Sequence, residues 1–112
     1  MSTTDSGRQA EDRVAELLKS QKHKIVARNW RNRYAEIDIV AEKSGVVLFV
    51  EVKYRSSGAW GGGEAAINSD KLRRMSRAAE YWVAENRWPG EYELAAAVVD
   101  DDRIELVELY DV

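Results

Sequence analysis

The chain has 112 residues, enough for one layered core but not for two independent ones, and it has no cysteine, which excludes disulfides, thiolate metal centres and thiol nucleophiles. Seventeen Lys and Arg stand against 20 Asp and Glu, a net charge of −3 that argues against a surface coated in positive charge. No apolar run reaches transmembrane length and the opening MSTTDSGRQAED lacks the basic and apolar regions of a signal peptide, so a single cytoplasmic domain over 1–112 without a membrane partner is expected.

Residues 1–6 are small and polar and are expected to be disordered, with Asp5 or Ser6 capping a helix from about Gly7 to Gln21. Ala10, Val14, Leu17 and Leu18 form its apolar stripe, and Glu11 lies at the stripe's edge. Residues 22–30 (KHKIVARNW) read as a strand, followed by a short basic link, Arg31 to Tyr34. His23 is the only histidine and has no partner for a zinc site, so a surface position is expected for it.

Residues 35–54 (AEIDIVAEKSGVVLFVEVKY) predict two strands joined at Ser44-Gly45. Strict alternation would place Ile37, Ile39 and Ala41 on one face, with Glu36, Asp38 and Val40 on the other. In the second strand Val46, Leu48, Val50 and Val52 alternate with Val47, Phe49, Glu51 and Lys53. The second face therefore turns ionic toward the open end of the hairpin. A two-residue turn would set Asp38 opposite Glu51 and Glu36 opposite Lys53, with Cβ atoms about 5 Å apart; a longer loop would make the carboxylate pair diagonal. Like charges so close are destabilising unless a cation or a proton is shared between them.

Beyond the hairpin, residues 55–63 (RSSGAWGGG) predict a flexible loop carrying Trp60, without the lysine and hydroxyl of a P-loop. A second helix from Asn68 or Ser69 to Asn86 carries Leu72, Met75, Ala79, Trp82 and Val83 on one face, and Trp88, Pro89 and Gly90 end it. Residues 92–99 form an apolar strand, Asp100 to Asp102 a turn, and residues 103–110 a last strand whose alternation slips at Leu106-Val107, predicting a bulge. The order α-β-β-β-α-β-β gives an α/β sandwich in which two helices cover a five-stranded sheet.

Charge is unevenly spread. Residues 17–33 hold six basic side chains and no acidic one, while residues 100–112 hold six acidic ones against Arg103 alone. Lys71, Arg73, Arg74 and Arg77 crowd the first half of the second helix, where phosphate contact and plain solvation are both open readings. Opposed carboxylates beside a lysine suit phosphodiester hydrolysis. Asp38, Glu51 and the Val52 carbonyl would hold Mg2+ or Mn2+, and Lys53 would orient the attacking water. A purely architectural reading instead pairs Lys53 with Asp38 or Glu36 as a salt-bridged strand end.

Asp38 followed by Glu51-Val52-Lys53, with Glu11 on a preceding helix, resembles the PD-(D/E)xK nucleases, archaeal Holliday-junction resolvases in particular. GRQAEDRVAELL, NWRNRYAEIDIVA, LFVEVKYR and INSDKLRRMSRAAEYW resemble the YraN-like family of uncharacterised bacterial proteins across nearly the whole chain. The resemblance implies a restriction-endonuclease-like three-layer α/β/α fold with a mixed sheet. It also implies Glu11 as an auxiliary acid, Asp38 and Glu51 as the metal pair, Lys53 as the catalytic lysine and Lys71 as a helix position near the site. Arg28, Arg31, Arg33, Arg55, Lys71 and Arg74 are the expected nucleic-acid contacts. Ala35 stands where that family has glycine, and Ile37 where the nuclease motif is named for proline; neither change removes a ligand. The function expected is hydrolysis of structured or branched DNA, with non-cleaving nucleic-acid binding on the same fold as the alternative. The acidic total points to a homodimer or partner protein for the rest of the DNA surface.

Overall fold

A computed structural model describes residues 3–55 and 69–109, with the side chains of 3–6 left aside. The elements are α1 (Thr3–Ser20), β1 (Lys24–Arg31), β2 (Glu36–Lys43), β3 (Val46–Tyr54), α2 (Ser69–Asn86), β4 (Glu91–Val99) and β5 (Ile104–Leu109). Helix α1 begins four residues before the expected Gly7, so Asp5 and Ser6 lie inside it rather than at its cap. The expected loop around Trp60 and the Asn68 start of the second helix fall outside the described residues, as does Tyr110. No described helix is long and apolar enough to cross a membrane.

The five strands pair in sequence order, β1-β2-β3-β4-β5. All pairs are antiparallel except β3 with β4, which run parallel and so need the crossover that contains α2. Each helix covers one face. On the first, Ala10, Val14, Ala15 and Leu18 of α1 pack on Ile39, Ala41, Val50, Ala97 and Val99. On the second, Ala78, Ala79 and Trp82 of α2 pack on Ile37, Val40, Val47, Phe49 and Leu94. The three-layer α/β arrangement and element order read from the sequence are those observed.

Helix ends without glycine still need a left-handed residue to close their last carbonyls. Lys22 (φ 74°) does this after α1, where His23 N–H bonds Leu18 C=O, and Arg87 (φ 51°) does it after α2, where Trp88 N–H bonds Val83 C=O. The β2–β3 turn has positive φ at both Ser44 and Gly45, the type I′ geometry that matches strand twist. It sets Lys43 opposite Val46 and Ile39 opposite Val50, the two-residue register expected.

Two sequence expectations fail here. Ile37 packs with Val40 on the α2 face instead of with Ile39 and Ala41 on the α1 face. On the neighbouring strand Ala27 and Trp30, three apart, likewise share the α2 face. Asn29 lies between them in a left-handed conformation (φ 54°); the Ala27↔Val40 and Trp30↔Ile37 pairs stay in register, so both strands break alternation together here, while a register shift of this strand pair lies further along, between Ile25 and Ala27. Strand β5 has no bulge: its register against β4 is unbroken from Leu94↔Leu109 to Val99↔Ile104. Both faces of this edge strand are half-buried, so Leu106 and Val107 can both be apolar without a slip.

Phe49 is fully buried and meets Trp82 and Tyr92 edge-on at 5.5 and 5.6 Å, tying β3 to α2 and β4. Phe49→Ala should lower the stability to urea unfolding by about 3–5 kcal/mol, as a lower midpoint at unchanged slope. A loss under about 1 kcal/mol would show that this contact does not organise the core.

Candidate active site between β2 and β3

The β2–β3 ladder ends at Ile39↔Val50, one pair short of the expected Asp38–Glu51 opposition. Beyond it the strands part, and the Val52 N–H donates to the Asp38 carboxylate (Oδ2, 2.8 Å) in place of a ladder carbonyl. Asp38 thus sits in a gap in the sheet and not across from Glu51. In an extended strand a residue's N–H and C=O point to the same side. The Val52 carbonyl is therefore aimed at the gap that holds Asp38.

Through this gap Asp38 borders both faces. On the α2 side it lines an open cleft of about 550 Å³ with Glu36, Glu51, Lys71, Arg31, Arg74, Asn32 and Tyr34. On the α1 side it lines a second hollow with Glu11, Asp12, Arg28 and Val52. Burial raises its carboxyl pKa from 3.8 to about 6; the Val52 hydrogen bond opposes that rise, and the charges of Glu11, Glu51 and Glu36 add to it.

Glu51 points to the α2 side, where Lys71 Nζ lies 2.6 Å from Oε1 in a half-buried ion pair. Lys53, two residues on along the same face, has its pKa lowered first by Lys71 beside it and then by burial; that of Lys71 is raised, its contacts with Glu51 and Lys53 outweighing burial. Lys53 therefore pairs with neither Asp38 nor Glu36 among the described salt bridges, and the architectural reading of a Lys53 strand-end pair is replaced by the Lys71–Glu51 pair.

The remaining expected contacts divide. Arg31 and Arg74 line the cleft. Arg28 lies on the α1 side, bonded to Asp12 at 2.8 Å and to Glu11 at 3.5 Å, which raises its pKa. Glu11 thus reaches the Asp38 neighbourhood from α1 while already engaged. Arg55 extends the sheet through its N–H to Val99 C=O (2.7 Å). Arg33 holds its guanidinium 5.3 Å from the centre of the Tyr34 ring.

Sequence reasoning passed over Tyr34 and Asn32 as part of a basic link. Asn32 Oδ1 accepts from Tyr34 N–H (2.8 Å) and Ala35 N–H (2.9 Å), and Asn32 N–H donates to Ala35 C=O. That turn presents Tyr34 at the mouth of the cleft, stacked on Tyr81 of α2 at 5.3 Å and 14°. An aromatic residue between arginines in a turn is the signal available from the sequence; its partner, 47 residues away, is not.

Among the described residues no three His, Cys, Asp or Glu side chains are grouped to hold a metal ion on their own. What the gap offers is Asp38, Glu51 and the Val52 carbonyl, an all-oxygen set of the kind that magnesium or manganese completes with waters and phosphate oxygens. Burial first, and then the charges of Glu11, Glu51 and Glu36, disfavour the Asp38 carboxylate; a divalent cation relieves both, so the donors fit such an ion.

A family model described as "Uncharacterised protein family UPF0102" matches residues 10–109. The UPF0102 protein FN1370 of Fusobacterium nucleatum subsp. nucleatum is 35% identical over 88 residues, 79% of this chain and 74% of its own. The UPF0102 protein NMC2069 of Neisseria meningitidis serogroup C is 41% identical over 81 residues, 72% of this chain and 70% of its own. A UPF0102 protein of Halorhodospira halophila is 43% identical over 84 residues, 75% of this chain and 68% of its own.

The Asp38 shift has a defined pH signature. A carboxyl whose folded pKa lies above its unfolded value penalises the fold once it ionises. Stability is therefore lost as pH rises from about 4 to about 6, and the loss stays constant above. The full penalty is on the order of 3 kcal/mol. In chelator, Asp38→Asn keeps an acceptor for Val52 N–H and should be more stable than wild type by about 1–3 kcal/mol at pH 8, with the difference vanishing near pH 4. Urea unfolding at both pH values checks this, and equal stabilities at pH 8 would rule out a desolvated Asp38.

Proposed function

The chain belongs to the uncharacterised protein family UPF0102, and from its site we propose that it is a magnesium-dependent nuclease acting on structured or branched DNA. The observation that carries the reading is the gathering, at one gap in the sheet, of a desolvated Asp38, Glu51 and the Val52 carbonyl, with Lys53 and Lys71 beside Glu51 and Arg31 and Arg74 along the same cleft. The resemblance to PD-(D/E)xK nucleases agrees with it residue by residue at Asp38, Glu51 and Lys53. Fold likeness alone would not suffice.

In this reading Asp38, Glu51 and the Val52 carbonyl hold the ion, which when bound supplies an activated water and neutralises charge on the phosphate. Arg31 and Arg74 position the phosphodiester by charge. Lys53, whose ammonium is destabilised by Lys71, orients the attacking water and passes a proton more readily than an isolated lysine does. With Glu51 engaged by an ion, the Lys71 ammonium that now pairs with it would face a phosphate in the same cleft. Glu11, held by Arg28, supports the negative field at Asp38 from the α1 side. A homodimer or partner protein supplies further DNA surface.

One observation favours the alternative of a non-cleaving nucleic-acid-binding protein. Lys71, 2.6 Å from Glu51, already provides a cation where the metal would sit.

Incubation of labelled four-way junctions, splayed arms and duplexes with the protein and Mg2+ or Mn2+ decides between them. Cleavage is expected for the branched substrates, lost in chelator and reduced at least about a hundredfold in Asp38→Asn, Glu51→Gln or Lys53→Ala. Binding without cleavage under both metals would establish the alternative.

A further inference from the structure

Tyr34 is 62% exposed although it is large and apolar, and it is held there by structure on both sides. The Asn32 turn fixes its backbone, and Tyr81 supports its ring from beneath in a near-parallel stack. An exposed ring with only loop flexibility under it would be unremarkable. A ring braced by a second ring, at the mouth of a cleft carrying Arg31, Lys71 and Arg74, is a flat apolar platform beside a phosphate-attracting wall. That is the combination by which single strands are held: charge tracks the backbone and an aromatic face takes a base.

We propose that Tyr34 is a base-stacking subsite and that the preferred substrate is DNA with an unpaired nucleotide next to the phosphate in the cleft. The proposal rests on the nuclease reading only for the identity of that phosphate. Tyr34 precedes Asp38 by four residues, so the two Cα atoms are at most about 14 Å apart. A base on the Tyr34 ring therefore belongs to a nucleotide close to the one whose phosphate reaches Asp38 and Glu51. A base pair inside a duplex cannot use the platform, because both of its faces are already stacked on its neighbours; an unpaired base can turn outward. The guanidinium of Arg33, now over the ring, does not block the subsite. An exposed cation–π contact is worth less than a base stacked on an aromatic ring, and Arg33 once displaced is beside the same strand's phosphates.

The test uses the full-length protein in chelator, so that binding is read without cutting, and fluorescence anisotropy of a labelled single-stranded oligonucleotide and of its blunt duplex. Wild type should bind the single strand more tightly than the duplex. Tyr34→Ala, on the surface and without a core role, should weaken single-strand binding about 5- to 150-fold and duplex binding less than about twofold, while Tyr34→Phe should stay within about twofold of wild type on both. Equal losses on both DNAs, no loss in Tyr34→Ala, or no binding by wild type would each overturn the subsite. Adding Mg2+ to the same mixtures tests the other reading separately. A Tyr34-dependent preference without cleavage keeps the subsite and removes the nuclease, and cleavage without the preference does the reverse.

Discussion

The structure turns on one hydrogen bond, from the Val52 N–H to the carboxylate of Asp38, made where two strands of the sheet part. A strand N–H needs a buried acceptor, and the Asp38 side chain supplies one at the cost of bringing a carboxylate into the sheet. The cost is of the same order as the margin by which a small domain is stable. It is sustained because the ladder behind it, from Ile39↔Val50 to the Ser44-Gly45 turn, is covered on both faces by fully buried side chains, including Val40, Val47, Phe49 and Val50.

The same gap explains why the two helices carry different chemistry toward one residue. Helix α1 brings Glu11 and Asp12, both tied to Arg28, and α2 brings Lys71 and Arg74. Asp38 therefore feels acid from one layer and base from the other. On the α2 side Arg31, Lys71 and Arg74 match Glu36, Asp38 and Glu51 along the cleft, while on the α1 side Arg28 is spent within the protein. Of the basic run of residues 17–33, Arg28 goes to an ion pair within the protein and Arg31 to the cleft.

Periodicity made much of this legible. The helical stripes of α1 and α2, the bounds of α2 within the described residues, and the two-residue turn with its register follow from local rules that the packing does not override. Asp38, Glu51 and Lys53 were identified because ionic side chains interrupt an otherwise apolar face. What alternation could not show is where it stops. Alternation breaks at Asp38, beside a left-handed Asn29 on the neighbouring strand, so that Ile37 faces α2, and the parting of the strands replaced a carboxylate pair with a carboxylate–amide bond. The Lys71–Glu51 contact and the Tyr34–Tyr81 stack join residues 20 and 47 positions apart through the packing of α2, which no local pattern encodes. The supposed bulge in β5 came from reading an edge strand as if only one of its faces were covered.

Net charge is a poor guide to what such a protein binds. The acidic side chains of β5, Glu105 and Glu108, lie three strand spacings from β2 in the sheet. At about 4.8 Å per spacing that is roughly 14 Å, beyond the screening length of about 8 Å at physiological salt. A phosphate in the cleft is governed instead by the groups beside it, namely Arg31, Arg74, Lys71 and Lys53 against Glu36, Asp38 and Glu51. Four cations face three carboxylates there; with the Lys71–Glu51 pair set aside, Arg31, Arg74 and Lys53 stand against Glu36 and Asp38, and Asp38 binds a proton near pH 6. The local balance is positive in a chain whose total is −3, and each carboxylate neutralised by a proton or a divalent ion makes it more so. The cleft is thus a place where the acids of a chain of net negative charge are compensated by bases beside them, which the net charge alone does not show.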